Sequence, residues 1–186
     1  MKTKHLKTFI LIGLISIAAF SQNKTVNKNE STISWTGKAA FNAYSLTGTL
    51  KVKSGNASIE NDSIKSLNII IDMKSLDHEN GDLKKHLRGK DFFEVKTYTE
   101  ATFTVSQPFQ IKNGSAEVTG QLKIKDVIRT ETFIVNLNDD YSMLSFDISV
   151  DRTKYGVKFN SPSFFKKMKE NAIADEFKLK GNLKLD

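Results

Sequence analysis

The sequence predicts an all-β fold, an antiparallel sheet that is either closed into a barrel or folded into a sandwich. The clearest evidence is at the end of the chain, where every second residue of 177–185 is apolar or glycine and the residues between are polar. This period of two is typical of a strand with one buried face. Helical segments are too few for alternating β and α units, so the strands are expected to pair antiparallel.

The same alternation recurs along the chain and predicts seven or eight strands. We place them at 33–37, 46–52, 67–71, 101–106, 118–124, 132–137, 144–150 and 177–185. Residues that favour turns are predicted to separate them at 54–56, 61–62, 113–114 and 138–140.

The phrase Gly-x-Leu-Lys-apolar occurs three times, at 48–52, 120–124 and 181–185. Glycine inside a strand indicates a local bulge, strand coiling or the close approach of a ligand. We favour bulges, and the unequal spacing argues against a repeat protein.

Two segments depart from the strand pattern and predict short helices. In the first, 75–89, Asp82 is placed to cap and Gly89 to terminate. The second begins with Ser161 as N-cap and Pro162 at the first helical position, and it presents Phe164, Phe165 and Met168 on one side.

The first residues resemble a secretory signal peptide. Lys2, Lys4 and Lys7 precede an apolar run, and Ala19 and Ser21 are small residues before Gln22. The run is shorter than the ~20 residues of a membrane-spanning helix. We therefore expect a signal peptide at 1–21, cleavage near Ser21/Gln22, and a periplasmic or secreted domain at 22–186.

The size and charge of the remaining chain fit one domain. About 165 residues follow the predicted cleavage site, enough for one sizeable core. The net charge of +7 becomes +4 without the three lysines of the signal, and the remaining charges are dispersed. Nucleic-acid binding is excluded on this basis, and the lack of cysteine excludes a disulfide framework.

Candidate catalytic and metal-binding residues are sparse. Asp82 and His86 have helical i, i+4 spacing, but two ligands without a third are weak support for a metal. Neither a serine elbow nor a phosphate-binding loop is present. Asp151 and Arg152 follow a predicted strand, where they could orient the polar head of a ligand or clamp a loop. We expect no catalytic residues, no metal and no cofactor.

Phenylalanine is abundant, with thirteen in the chain and eleven after the predicted signal. Such residues usually fill a core. In a barrel of about eight strands they could instead line a lumen that holds one ligand. Composition alone favours the filled core.

Several segments, in order, resemble the YceI-like family. The most specific are Asp91-Phe92-Phe93 and Asp151-Arg152-Thr153-Lys154-Tyr155-Gly156. The segments 33–38, 70–76, 98–103, 118–125 and 172–177 are also similar, so the resemblance spans nearly the whole chain after residue 21. Two departures are Leu46, where many members carry histidine, and Thr99, where proline is common.

The resemblance implies an extended, lipocalin-like antiparallel β-barrel of about eight strands with an apolar tunnel, accompanied here by the two short helices. It implies no catalytic residues and, for some members, a bound polyisoprenoid. The leucine at position 46 removes the head-group contact that a histidine there would offer. On the alternation of each strand, the candidate lining residues are Trp35, Leu46, Leu50, Leu67, Ile69, Phe103, Leu122 and Phe133.

The expected function is therefore that of a periplasmic carrier, not an enzyme, with an isoprenoid or another long-chain lipid in its lumen. Transient contact with a membrane surface and homodimer formation are further expectations about its partners. One alternative is a filled barrel that binds a protein partner through the loops near 91–95 and 159–165. The other is a hydrolase of an envelope lipid that uses Asp82 and His86 or an unrecognised acid pair.

Overall fold

The computed structural model describes residues 21–165 and 171–186. Within these residues the strands are β1 Ser21–Lys38, β2 Ser45–Glu60, β3 Ser63–Asp77, β4 Glu100–Val105, β5 Phe109–Gln110, β6 Ser115–Ile124, β7 Val127–Leu137, β8 Met143–Asp151 and β9 Glu176–Leu185. Helix α1, Gly81–Leu87, lies between β3 and β4, and a 3-10 helix, Arg152–Tyr155, follows β8. The predicted signal peptide lies outside the described residues except for Ser21, the first residue of β1.

Eight strands form one closed antiparallel barrel. Their order around the ring is β2, β1, β9, β8, β7, β6, β4 and β3, and β3 pairs back with β2. The short strand β5 pairs with the start of β3 and stands outside this ring. Closure leaves no long sheet edge, which is how antiparallel barrels avoid unpaired strands. The barrel fold predicted for this chain is confirmed.

All eight predicted strands are present, but the first three are much longer than expected. β1, β2 and β3 have 18, 16 and 15 residues. The predicted turn at 54–56 is wrong, because β2 runs through it with a register shift between Val52 and Ser54. A Cβ atom at Gly55 would lie 2.7 Å from Val26 Cγ2 and 2.9 Å from Ile69 Cδ1, so glycine here reflects close packing instead of a turn.

The predicted tight turns at 61–62 and 113–114 are confirmed by their backbone angles. Asn61 and Asp62 have φ values of 49° and 52°, and Asn113 and Gly114 have values of 52° and 73°. Two successive positive φ angles are required by the tight turns that suit the twist of a β-hairpin. Asparagine, aspartate and glycine adopt them at low cost.

The first predicted helix is shorter than expected and has a different cap. Residues up to Asp77 belong to β3, and the N-cap of α1 is Asn80, whose Oδ1 accepts a hydrogen bond of 3.0 Å from Leu83 N. Asp82 lies in the first turn, where its charge favours the helix N-terminus. Asp82 was predicted as the cap in place of Asn80 because both residue types are good N-caps.

The second predicted helix starts as a turn in the part of the chain that is described. Phe164 N and Phe165 N both donate to Ser161 O, at 3.1 and 2.9 Å. Met168 lies outside the described residues. The 3-10 helix was not predicted from the sequence, although Asp151 caps it by accepting from Thr153 N at 2.9 Å.

The two ends of the barrel differ. At one end, here called the closed end, Ile59, Ile64, Val105, Leu183 and Leu185 are almost fully buried against one another. At the other, the α1 end, a second cluster covers the strands: Leu76 at the end of β3, Leu87 of α1, Tyr155 of the 3-10 helix, and Phe92 and Val157 of the connecting segments. In the described part of the chain, no helix has the length and apolar character needed to cross a bilayer.

Neighbouring strands β7 and β8 separate toward the α1 end. They pair only from Val135 to Leu137 of β7. Beyond this point the 3-10 helix lies against β7: Tyr155 Oη donates to Glu131 Oε1 at 2.8 Å, and Arg129 Nε donates to Lys154 O at 2.7 Å. The 3-10 helix thus covers the gap that the diverging strands leave.

Candidate functional site: an apolar cavity inside the barrel

A cavity of about 590 Å³ lies inside the barrel. Its wall includes Leu183 from the closed-end cluster and Phe92 from the α1-end cluster, so it extends along the barrel between the two. Its volume falls in the range of about 300–1,000 Å³ that is usual for small-molecule sites. Composition alone favoured an interior filled by side chains, and the cavity shows that the interior is not filled.

The wall contains all eight lining residues proposed from the sequence. They come from six strands: Trp35 from β1, Leu46 and Leu50 from β2, Leu67 and Ile69 from β3, Phe103 from β4, Leu122 from β6 and Phe133 from β7. Alternation places them correctly because each strand has one face toward the cavity. Their contact with a ligand stays a prediction.

Each glycine of the three repeated phrases makes room for an aromatic ring in or beside the wall. A Cβ atom at Gly48 would lie 2.5 Å from the Trp35 ring, and one at Gly181 would lie 2.5 Å from Phe146 Cζ. One at Gly120 would lie 2.8 Å from Phe103 Cζ. All three rings line the cavity. A side chain at any of the three glycines would displace a ring.

The bulge predicted at Gly120 is wrong, because the ladders on both sides of it have no register shift. Gly48 and Gly181 each face one regular ladder, but their second ladders shift register nearby, between Thr49 and Lys51 of β2 and between Asn27 and Thr32 of β1. All three glycines are inward positions where a neighbouring strand places its largest side chain. Aromatic rings are known to cover glycines in this way and to fix strand register.

Loop residues at the α1 end complete the wall and were missed by the sequence analysis. Phe92 and Phe159 pack with ring centroids 5.3 Å apart, and His86 of α1 lies 4.6 Å from Phe159 in an edge-on arrangement. All three line the cavity. No periodicity marks Phe92 and Phe159 because they come from segments without regular structure, and His86 lies on a helix of only seven residues. The only sequence signal was the Asp91-Phe92-Phe93 segment.

Arg152 also lines the cavity, but its guanidinium holds the backbone of two segments. It donates to Val157 O at 2.8 Å, Ile173 O at 2.9 Å and Ala174 O at 3.1 Å. Burial lowers the pKa of Arg152, against the opposing effect of Asp175 and Asp151. Because Arg152 already makes these three hydrogen bonds, the structure favours a role in clamping the loops over a contact with a ligand head group.

Asp151 serves the same local structure. Its Oδ1 accepts hydrogen bonds from Thr153 N at 2.9 Å and from Thr153 Oγ1 at 2.6 Å. It does not belong to the cavity wall. The carboxylate thus caps the 3-10 helix, and its proposed role as a head-group contact finds no support in the geometry.

The cavity opens at the α1 end, between the loop 39–44 and the described residues 159–165 and 171–174. Lys38, Tyr44 and Asn171 are exposed to solvent and also line the cavity, so they mark the opening, here called the mouth. Ala40 N donates to Ala172 O at 2.8 Å and Ala174 N donates to Lys38 O at 2.9 Å. These bonds connect the two sides of the mouth.

Polarity changes along the cavity. The charged and amide residues of the wall come from the α1 end: Lys38, His86, Arg152, Asn160, Asn171 and Glu176. Toward the closed end the wall is apolar. Among the described residues every fully buried side-chain nitrogen or oxygen has a hydrogen-bond partner.

Asp82 and His86 show no sign of an assembled catalytic site. Asp82 is exposed on α1, whereas the ring of His86 packs edge-on against Phe92 and Phe159. In the ranges 21–165 and 171–186, no three histidine or carboxylate residues come close enough together to hold a metal ion.

The comparison with known families accounts for this geometry. A model of the YceI-like domain matches residues 25–185. The chain belongs to the YceI-like family. The match covers all the barrel strands apart from the first four residues of β1, and it confirms the resemblance seen in the sequence.

Relatives of this YceI-like protein occur in Vibrio. A UPF0312 protein of Vibrio parahaemolyticus is 32% identical over 98 residues, 51% of this chain and 52% of that protein. A UPF0312 protein of Vibrio vulnificus is 26% identical over 134 residues, 68% of this chain and 71% of that protein. The chain thus spans about half the length of the first relative.

Solved structures share the fold of this YceI-like protein. Burkholderia cenocepacia BcnA superposes with a TM-score of 0.65 at 22% identity, covering 87% of this chain and 99% of that one. A polyisoprenoid binding domain from Saccharophagus degradans, implicated in plant cell wall breakdown, gives 0.63 at 14% identity, with coverages of 88% and 97%. At these identities the likeness shows the barrel fold alone.

Proposed function

We propose that this YceI-like protein is a periplasmic carrier that sequesters a long apolar ligand, a polyisoprenoid or fatty-acyl chain, in its barrel. The observation that carries the proposal is the 590 Å³ apolar cavity inside a closed barrel. The polyisoprenoid binding domain of the same fold supports the ligand class.

The size of the cavity suits a chain better than a compact metabolite. A dry apolar cavity of 150 Å³ holds one benzene, so 590 Å³ has room for on the order of 20 carbon atoms. Burying a chain of that length gains about 16 kcal/mol at ~0.8 kcal/mol per carbon. This exceeds most estimates of the cost of association, about 4–15 kcal/mol, so burial of the chain alone can give a net gain on binding.

The polarity of the wall suggests an orientation for the ligand. An amphiphilic chain would place its tail toward the closed end, where polar side chains are scarce, and its polar end at the mouth. There Lys38, Asn160 and Asn171 offer hydrogen-bond donors. Because Arg152 is bonded to three carbonyls, we assign it to holding the mouth in shape and not to the ligand.

The predicted export signal supports the carrier role. A long apolar chain needs protection from water only when it leaves a membrane, and the amino-terminal sequence of this chain resembles a signal for export. Periplasmic localisation and transient contact with a membrane surface belong to the proposal. The homodimer stays a prediction.

The two alternatives are less favoured. A barrel filled with side chains, which would bind a protein through its loops, does not fit an internal cavity of this size. A hydrolase would need an activated nucleophile or an acid-base pair facing the substrate, and Asp82 faces solvent instead. We therefore propose binding without chemistry.

Native mass spectrometry of the protein purified without detergent from its own envelope fraction tests the proposal. We expect a stoichiometric extra mass that organic extraction identifies as an isoprenoid or acyl lipid. A protein that carries nothing and also fails to bind added isoprenoid chains would contradict it.

Variants of Leu50 connect any bound mass to the cavity. Leu50→Arg should abolish loading because a charge cannot be buried in an apolar lumen without a partner. Leu50→Trp should reduce loading at least ~10-fold by occupying the space, with less risk to folding. Thr49→Trp on the outer face of the same strand is the control, and equal loading of folded Leu50→Trp and Thr49→Trp would exclude this lumen as the site.

A further inference from the structure

The mouth carries a group of exposed aromatic side chains. In the described residues six large apolar side chains are exposed, and four of them lie at the mouth: Phe41 (65%), Tyr44 (62%), Phe164 (49%) and Phe165 (46%). We call these four the aromatic rim. Soluble proteins rarely gather exposed aromatic residues at one place without a binding role.

Hydrogen bonds bring the two halves of the rim together. Phe41 and Tyr44 belong to the loop 39–44, in which Ala40 N donates to Ala172 O. Phe164 and Phe165 follow Ser161, and the hydroxyls of Ser161 and Ser163 donate to the carboxylate of Asp175. Because Ala172 and Asp175 belong to the same short segment before β9, both halves border one opening.

Basic side chains accompany the rim. Lys158 Nζ lies 4.5 Å from the centroid of the Phe164 ring, and Lys38 lines the cavity below Tyr44. The nearby carboxylate of Asp175 accepts hydrogen bonds from the hydroxyls of Ser161 and Ser163. Aromatic rings beside lysines have the composition that partitions into the headgroup region of an anionic bilayer.

We propose that the aromatic rim docks the mouth on an anionic phospholipid bilayer, so that the apolar ligand passes between membrane and cavity without crossing water. The proposal rests on the carrier function and adds the surface by which the cavity is loaded. A bilayer fits better than a protein partner because the rim surrounds an opening, which leaves no continuous central patch of the kind that carries most protein interfaces.

The test compares two sets of exposed apolar residues. In the rim variant, Phe41, Phe164 and Phe165 are replaced by serine; none of them lines the cavity. In the matched control, Ile128 and Ile134, which are 59% and 57% exposed on β7, are replaced by serine. Both variants remove exposed apolar surface, but only the first removes it at the mouth.

Two measurements separate docking from ligand binding. Flotation with vesicles containing phosphatidylglycerol, or with vesicles of phosphatidylcholine alone, measures docking. Loading with a fluorescent polyprenol is followed both from those vesicles and from a cyclodextrin complex. We expect the rim variant to bind the anionic vesicles, and to load from them, at least ~10-fold more weakly than the wild type and the control. Loading from cyclodextrin should be unchanged.

The outcomes distinguish the two proposals. Wild-type protein that loads from cyclodextrin but ignores anionic vesicles overturns the docking surface and leaves the carrier function standing. Equal vesicle binding by the rim variant and the control also overturns it. Wild-type protein that binds vesicles but takes up no polyprenol from either source overturns the carrier function instead.

Discussion

Gly48 lies at a position where even one added carbon would collide with two neighbouring strands. A Cβ atom there would be 2.1 Å from Asp77 O and 2.5 Å from the Trp35 ring, and Trp35 Nε1 donates to the same Asp77 O at 3.2 Å. The ring and the carbonyl are fixed to each other by this bond, so neither can move alone.

We therefore expect Gly48→Ala to lower the free energy of unfolding by about 3 kcal/mol, the upper part of the range for overpacking. Urea denaturation measures this difference. Gly81→Ala is the control, because nothing lies within 4 Å of a Cβ atom at this position and alanine favours the helix. If Gly48→Ala were as stable as Gly81→Ala, the packing role of the glycine would be wrong.

The sequence predicted which residues line the cavity where those residues lie on strands, but not where they lie in loops or on the helix. Leu67 and Ile69 lie on the cavity side because alternation decides which face of a strand is buried. Phe159 and His86 line the same cavity but come from a loop and a helix whose positions depend on contacts far away in the chain. Arg152 was noticed as a residue, yet its three carbonyl acceptors could only be known from the structure.

At the scale of elements, the 3-10 helix closes the gap between β7 and β8 through one buried hydroxyl. Tyr155 is 1% exposed, and its Oη donates to Glu131 Oε1. Burial, and after it the bond to Glu131, raises the pKa of Tyr155 far above its ordinary value of 10.0. A raised pKa means that the folded state keeps the proton which the unfolded state loses.

The contribution of Tyr155 to the free energy of unfolding is thus complete below pH 10, and it is lost as the pH rises above 10. We expect Tyr155→Phe to cost about 1.5 kcal/mol at neutral pH, the value of a hydrogen bond to a charged acceptor. Above pH 10 the difference between wild type and variant should shrink by up to ~1.4 kcal/mol per pH unit. The pKa values of Tyr98 and Tyr141 are also raised, but both residues are present in wild type and variant, so their effects cancel in the difference.

Urea unfolding of both proteins at several pH values measures this difference directly. A difference that stays constant from neutral pH to beyond pH 10 would show that Tyr155 ionises as easily in the fold as outside it. The helix would then owe its place to other contacts, such as that between Arg129 and the carbonyl of Lys154.

The elements themselves were predictable where local chemistry was unambiguous. The turn at Asn61 and Asp62 followed from residues that tolerate positive φ. The turn expected at 54–56 did not form, because the same residue types can serve a bulged strand when β1 and β3 pack on both sides. Local sequence cannot separate these outcomes, since the deciding contacts come from Val26 and Ile69.

At the scale of the whole molecule, alternation could not distinguish a barrel from a sandwich. Each strand has one buried face in either architecture. The deciding feature is that β2 pairs with β1 on one side and with β3 on the other. From β1 the order continues through β9, β8, β7, β6 and β4 to β3, so the β2–β3 pairing closes the ring. Only the family resemblance carried that information in the sequence.

A closed end and an open mouth together set a limit on ligand length. The residues of the closed-end cluster are almost fully buried against one another, so we expect a chain that enters at the mouth to stop when the cavity is full. At 590 Å³ this occurs on the order of 20 carbons. In the proposed carrier each carbon up to that length would be buried, and each further carbon would remain outside the barrel.

Linear polyprenols of increasing length should therefore bind with Kd values that fall steeply and then become constant near that length. Below the limit, each added carbon contributes up to ~0.8 kcal/mol, nearly a factor of four in Kd. Displacement of a fluorescent polyprenol measures the series, and Leu50→Trp should move the break to shorter chains because the cavity is smaller. A series without a break would mean that the chain passes through the closed end or lies on the outside, whereas affinity independent of length from the shortest chain would mean that only its polar end is recognised.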